Sequence, residues 1–315
     1  MSGRDGKYAH LLDPETWDYI EEVERWFPPD ILEKPLAEQR RVYDAMCRAF
    51  HAGRPPVVHA EDGVSPSSGR PIPIRRYTRS NAAGTAVVLY FHGGGFVLGG
   101  LDSHDDICAE ICAGTGLGVV SVDYRLAPEH PHPAAFVDAV SACRWLSGMR
   151  VPILLAGESA GGNLAAAVAH AVREDRQLLG QVLIYPSLGG DMTGGSYAEH
   201  AQAPLLSVDD IVWYEDIRTE GTAKPDDPTR APLRDADFSR LPATVVVTAE
   251  CDPLSDDGKV YAEKLRNAGC RAHWREEPRL THSFLRSRRT VRRAQDAFDA
   301  IIADIASLGG GGWRY

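Results

Sequence analysis

Short, unbroken apolar runs alternating with helical stretches constrain this chain more than any other feature. From about Ile72 the runs are Ile72–Tyr77, Val87–Phe91, Val119–Val122, Ile153–Ala156, Val182–Tyr185, Thr244–Thr248 and, more weakly, Arg271–Trp274. Helical patterns lie between them, near His104–Ala113, Ala134–Leu146, Ala160–Val172, Ser255–Asn267 and Arg288–Leu308. Runs such as Val-Val-Leu-Tyr-Phe and Ile-Leu-Leu-Ala have no polar alternation, so each strand is buried on both faces. Alternation of this kind predicts a mostly parallel sheet covered by helices, the α/β class. At 315 residues the chain fits one large α/β domain or two small ones. A globular chain this long buries roughly 75% of its unfolded surface and needs no disulfide or metal staple.

Two segments fall outside the alternation. Asp13-Pro14 reads as an N-cap with proline at the first helical position, opening a helix to about Phe27 that Pro28-Pro29 stops. A second helix, Pro35 to about Phe50, places Leu36, Val42, Met46 and Phe50 on one side. Neither helix can bury its apolar side alone. A Pro/Ser/Gly-rich loop follows, from Gly53 to Arg70. The block Ser187–Arg240, with a helical centre at Val208–Ile217, reads as an insertion over the sheet. Residues 1–53 and 187–240 are therefore expected to form a helical cap on an α/β domain spanning 54–315.

The balance of 34 basic against 44 acidic residues gives a net charge of −10, which opposes nucleic acid or an anionic membrane as main partner. No apolar stretch is long enough to span a bilayer. Met1–Leu12 is charged and has no apolar core, so no signal peptide is expected. The six cysteines form no C-x-x-C pair and read as reduced, mostly buried thiols of a cytoplasmic protein. Cys108 and Cys112 are four apart on a helix, but with no matching pair nearby they read as core rather than metal ligands.

Gly157-Glu158-Ser159-Ala160-Gly161 follows the run Ile153–Ala156 and opens an Ala-rich helix. This is G-x-S-x-G in the strand-turn-helix context that makes the serine a nucleophile. The bland alternative is a glycine-rich turn with Ser159 as N-cap. A serine hydroxyl needs a base, and with the order nucleophile, acid, base the candidates are His170, His200, His273 and His282. His170 lies within a helix, His200 in the insertion and His273 on a strand, whereas His282 lies in a loop before the last helix. His282 is the expected base. The acid should end a strand between these two, and Asp252 is the first acid after the apolar segment Ala243–Cys251. Asp256 and Asp257 read better as first-turn residues of the next helix. Directly after Val87–Phe91 comes His92-Gly93-Gly94-Gly95-Phe96, whose glycines allow backbone N–H groups to face a substrate oxygen. A phosphate cradle is excluded, because Leu98 stands where G-x-G-x-x-G requires glycine.

These motifs, with Asp123-Tyr124-Arg125-Leu126-Ala127-Pro128-Glu129, Asp252-Pro253-Leu254 and His282-Ser283-Phe284, occur in an order that resembles the hormone-sensitive-lipase-like α/β-hydrolases, in their bacterial carboxylesterase branch. The likeness runs from roughly Ile31 to Ile305. It implies an α/β-hydrolase fold with about eight strands under a helical cap, hydrolysis of small carboxylic esters of short acyl chain through Ser159, His282 and Asp252, and no metal or organic cofactor. It also implies that the N–H groups of Gly94, Gly95 and Ala160 form the oxyanion hole. Two positions depart from the family pattern: Glu158 stands where Asp is usual, and Ser283 where glycine usually follows the base.

Phe96, Trp213 and Tyr214 are candidate pocket residues, although the two insertion aromatics fit a cap core equally well. His130 and His132, in a Pro-rich loop, read as structural. The basic run Arg286, Arg288, Arg289, Arg292 and Arg293 reads as a solvated helix face. The chain is expected to act as a monomer or homodimer. An amide or acetylated natural product as substrate stays open. A non-catalytic receptor on the same fold is disfavoured, because the gibberellin receptors of this fold have lost the histidine that His282 supplies here.

Overall fold

The computed structural model describes residues 6–28, 30–66, 70–80, 86–222, 224 and 226–315. Residues 1–5, 29, 67–69, 223 and 225, on which parts of the sequence reading fall, lie outside them. The helices are α1 (Tyr8–Leu11), α2 (Pro14–Glu24), α3 (Leu36–Phe50), α4 (Asp105–Thr115), α5 (Ala134–Gly148), α6 (Ala160–Ala171), α7 (Gly195–Glu199), α8 (Val208–Thr219), α9 (Ser255–Asn267) and α10 (Arg292–Gly309). The strands are β1 (Val58–Ser65), β2 (Ile72–Arg79), β3 (Val87–Phe91), β4 (Gly118–Val122), β5 (Ile153–Glu158), β6 (Leu178–Ile184), β7 (Ala243–Cys251) and β8 (Ala272–Thr281).

They form one eight-stranded sheet in the order β1-β2-β4-β3-β5-β6-β7-β8. Pairing is antiparallel from β1 to β2 and from β2 to β4, and parallel elsewhere. The parallel strands alternate between two apolar layers. Val88 and Tyr90 face Ile107 and Ile111 of α4 and Phe298 and Ile301 of α10. Leu89 and Phe91 face Ala139 of α5, Leu164 of α6 and Leu265 of α9. A strand sandwiched in this way has no wet face, which is why its sequence shows no alternation.

Two expectations about strands need correction. The stretch Gly53–Arg70 is not all loop, because β1 occupies Val58–Ser65 and pairs along its whole length with β2. Its sequence, His59-Ala60-Glu61-Asp62-Gly63-Val64, is that of an edge strand with little buried surface. At the other edge β8 continues well past Trp274 to Thr281, through the charged stretch Arg275-Glu276-Glu277. Arg275 is held there by Asp304 of α10 at 2.9 Å.

The first helices follow local rules. Asp13 caps α2 by accepting the Thr16 N–H at 2.9 Å, and Pro14 takes the first helical position. The buried residues Trp17, Ile20 and Val23 recur at helical spacing. From α3, Arg40 clamps Glu129 with two nitrogens, at 2.7 and 2.8 Å, and donates to the carbonyls of Val97 and Ala127. The 187–240 segment is fastened from below. Asn163 donates to the carbonyls of Ser187 and Arg230, and Asp257 accepts the Leu188 N–H at 2.7 Å. Asp257 is therefore more than a first-turn acid: it is 1% exposed, and burial pushes its carboxyl up to about 7. Tyr8 and His200 meet at 3.2 Å, joining the N-terminal segment to the insertion.

The arginine run is not one solvated face. Helix α10 begins at Arg292, and Phe284–Ser287 form a 3₁₀ turn. Arg286 and Arg288 are buried, at 7% and 1% exposure. Arg288 spans Asp106 and Glu110 of α4 at 2.6 and 2.8 Å. An acidic helix from elsewhere in the chain draws the run inward, and no local pattern announces it.

Candidate active site

Ser159 sits between β5 and α6 with φ +54° and ψ −119°. A residue with a side chain rarely adopts this backbone, and strain of this kind concentrates at reactive turns. The turn closes only because its neighbours lack Cβ atoms. A Cβ on Gly157 would stand 2.3 Å from the Gly161 carbonyl oxygen, and one on Gly161 would stand 1.9 Å from that of Phe91. The Ser159 N–H donates to the Ile184 carbonyl at 2.9 Å, which ties the elbow to β6.

His282 follows β8 directly and Asp252 follows β7. Ser159 Oγ lies 2.9 Å from His282 Nε2, and His282 Nδ1 lies 2.7 Å from Asp252 Oδ2. With the Nδ1 proton donated to the carboxylate, Nε2 is free to accept the serine proton. Asp252 is fully buried and also accepts the Leu254 N–H at 2.9 Å. Burial works against a charged His282, but the Asp252 charge and hydrogen bond, with Glu158, outweigh it and raise its pKa above 6.5. The other histidines lie elsewhere. His170 is buried between Asp235 and Tyr261, at 2.7 and 3.0 Å. His273 stacks on Tyr315 at 3.5 Å. His132 faces Asp227 at 3.1 Å. Asp256 accepts the Ser196 N–H at 2.7 Å instead of reaching a histidine.

The loop after β3 is shaped by Gly94 (φ +116°), Gly95 (φ +61°) and Phe96 (φ +65°). The Gly94 carbonyl turns away to accept the Val97 and Leu98 N–H groups. Among the described residues no carbonyl accepts from the Gly94 or Gly95 N–H. Ala160 is the first residue of α6, where N–H groups have no intrahelical partner. Beneath the loop His92 is fully buried and stacks on Tyr124 at 4.3 Å, and Tyr124 donates to the His92 carbonyl at 2.7 Å. Burial drives the His92 pKa down to about 3, so the ring stays neutral. Glu158, one departure from the family pattern, reaches His104 Nε2 at 2.7 Å. It lies so close under the loop that a Cβ on Gly93 would meet its Oε1 at 1.9 Å. Ser283, the other departure, has φ +63° and ψ +21°, a left-handed conformation that favours glycine.

Ser159 and His282 open into a cavity of about 190 Å³. Its wall draws on Tyr19 of α2, Tyr43 and Met46 of α3, and Leu206 and Tyr214 of the 187–240 segment. Of the three expected pocket aromatics, Phe96 and Tyr214 line the cavity. Tyr214 covers Gly95 so closely that a Cβ there would meet its ring at 2.2 Å. Trp213 does not line it: it packs edge-on against Tyr214 at 4.9 Å and against Val97, Leu98 and Ala127. Sequence reading missed Tyr19, Tyr43, Met46 and Arg286. The apolar side of α3 pointed to Met46, but nothing local assigned it to a pocket.

A strained serine elbow after β5, an imidazole after β8 and a buried carboxylate after β7 define a serine hydrolase architecture. The α/β-hydrolase fold model matches residues 88–286. The chain is 42% identical over 246 residues to carboxylesterase NlhH of Mycobacterium tuberculosis, covering 72% of this chain and 75% of the relative. It is 30% identical to an ethyl acetate hydrolase of Pseudomonas putida, over 92% and 97% of the two chains. A solved esterase of Pyrobaculum calidifontis superposes with a TM-score of 0.83 at 34% identity, covering 94% of this chain and 99% of the other. The chain belongs to the α/β-hydrolase fold family, in its hormone-sensitive-lipase-like branch.

Proposed function

We propose that Ser159, His282 and Asp252 are the catalytic triad and that the N–H groups of Gly94, Gly95 and Ala160 form the oxyanion hole. The protein is a carboxylic ester hydrolase. The observation that carries the triad is the unbroken chain from Ser159 Oγ to His282 Nε2 at 2.9 Å and from His282 Nδ1 to Asp252 at 2.7 Å, at the floor of a cavity. Ser159 Oγ bonds to the ester carbonyl carbon as its proton passes to Nε2. The carbonyl oxygen becomes an oxyanion facing the three N–H groups. Collapse expels the alcohol, which takes the proton from Nε2, and leaves an acyl-serine. Water then attacks the acyl carbon, giving its proton to Nε2, and the serine departs with that proton, releasing the acid.

Short acyl chains form part of the reading. A cavity of about 190 Å³ is small beside the roughly 300–1,000 Å³ of drug-sized sites. Residues 1–53 and 187–240 act as the cap, a role supported by the side chains both segments lend to the cavity wall. No helix among the described residues is long and apolar enough to cross a membrane. Action on small esters in the cytoplasm, as a monomer or homodimer, completes the reading, and the free thiols of all six cysteines support a reducing compartment. Turnover of 4-nitrophenyl esters from acetate to dodecanoate tests it. Maximal kcat/KM at or below six carbons is expected. A rise that continues to dodecanoate would contradict the short-chain reading.

A further inference from the structure

Arg286 gives the cavity a fixed positive charge that the hydrolytic steps do not use. It lies four residues past His282, in the turn Phe284–Ser287, and lines the same cavity as Ser159. Its exposure is 7%. Nη1 donates to the Ser103 carbonyl at 2.7 Å. Among the described residues its side chain makes no other hydrogen bond and has no carboxylate within 4 Å. Arg288, two residues on and also buried, is clasped by two carboxylates.

The acids in the cavity wall are already engaged. Glu158 accepts from His104 at 2.7 Å. Glu215 pairs with Arg230 at 2.5 Å and Arg218 at 3.5 Å. Asp106, whose charge bears on Arg286, is held by Arg288 and the Ala52 N–H. The charge of Glu158 bears on Arg286 as well, from beside His104, and the groups around Arg286 from the N-terminal helices are neutral: Cys47, Tyr43 and Tyr19. A buried charge with no carboxylate in direct contact is expensive, and a guanidinium cannot relieve that by losing its proton. Its planar fork of donors matches a carboxylate, and the match strengthens where water is excluded.

We propose that Arg286 is a specificity residue that receives a free carboxylate on the substrate, remote from the scissile ester. The preferred substrates are then short esters bearing one negative charge. The charge is carried on the acyl side, as in a half-ester of a dicarboxylic acid, or on the alcohol side, as in an acylated hydroxy acid. Glu158 disfavours a carboxylate placed close to the serine, so the charge has to lie beyond it. The proposal rests on the ester hydrolase reading and adds the substrate class.

The test compares matched pairs with intact enzyme. The acyl arm uses mono-4-nitrophenyl adipate and suberate against their methyl-capped diesters. These chains are long enough that the free carboxylate does not attack its own ester. The alcohol arm uses 6-acetoxyhexanoate against its methyl ester. In at least one arm the carboxylate form should have a kcat/KM about tenfold higher or more, and Arg286→Met should lower that ratio about tenfold, with Arg286→Lys restoring part of it. A wild-type ratio at or below one in both arms overturns the proposal, whether or not the variants fold. An unchanged ratio in folded Arg286→Met overturns it too and leaves Arg286 as a strut for Ser103. Turnover of 4-nitrophenyl hexanoate reports on the ester hydrolase reading by itself. Its absence, with every other ester inert, removes that reading and the proposal with it.

Discussion

The floor and the wall of the cavity are specified in different ways. Ser159, Asp252 and His282 stand directly after β5, β7 and β8, at the carboxyl ends of three parallel strands. Their positions follow from strand register and from the backbone of a few adjacent residues, such as the φ of +54° at Ser159 and the clearance at Gly157 and Gly161. Tyr19, Met46, Tyr214 and Arg286 reach the same cavity from α2, α3, α8 and the turn after His282. Each arrives there through packing between segments far apart in sequence. On the proposed reading, the chemistry is thus written locally, and the selectivity is written in tertiary contacts.

If that division holds, the floor tolerates no change and the wall tolerates graded change. The largest expected effect is at the floor: His282→Ala should lower kcat/KM on the order of 10⁴-fold or more. His273→Ala, stacked on Tyr315 at the sheet edge, should leave it within about twofold. Equal losses in two folded variants, measured with 4-nitrophenyl acetate, would erase the distinction between them. The base must be neutral to accept the serine proton, so activity is lost as pH falls. Because Asp252 and Glu158 together outweigh burial and raise the His282 pKa, kcat/KM should rise with pH through a midpoint above the ordinary value of about 6.5. A midpoint below 6 would contradict the pairing.

Gly94→Ala comes next. Its Cβ would lie 2.3 Å from the Leu98 carbonyl oxygen, on backbone with φ +116°. The loop has to move, and losing one oxyanion donor lowers kcat about a hundredfold. A change confined to KM would assign the loop to substrate binding instead. The wall should respond more mildly. Met46→Phe narrows the cavity where α3 meets it. It should lower kcat/KM for octanoate relative to acetate by about tenfold, with acetate turnover preserved. An equal fall for both esters would place Met46 on the floor side of the division. The smallest effect is expected at Ser283, whose left-handed backbone disfavours any residue with a Cβ. Ser283→Gly should raise the unfolding free energy by up to about 1 kcal/mol, the strain relieved less the entropy glycine adds to the unfolded chain. Urea titration reads it, and a clear loss would mean that the serine hydroxyl stabilises the turn.

The same division explains what could be read before the fold was in view. The elbow, the glycine loop and Asp252 were legible because each is a short pattern tied to a strand end. His282 was separable from His273 because one follows a strand and the other lies on it. β1 was not legible: an edge strand carrying His59, Glu61 and Asp62 shows no apolar run. Nor were the buried arginines. Arg286 and Arg288 look like the exposed Arg289, Arg292 and Arg293 until the fold sets the Ser103 carbonyl against Arg286 and Asp106 and Glu110 against Arg288. Trp213 and Tyr214 are adjacent on α8 and so point about 100° apart around its axis, and only the packing of α8 decides that Tyr214 meets the cavity and Trp213 does not.

The most direct test of the floor is chemical. An organophosphonate ester traps an activated serine by forming a covalent bond to its oxygen. The inactivated enzyme is digested and the adduct located by mass spectrometry. The account predicts one adduct, on Ser159 within Gly157-Glu158-Ser159-Ala160-Gly161, appearing in step with the loss of esterase activity and failing to form in His282→Ala. Full inactivation with Ser159 unmodified, or an adduct on another residue, would contradict it.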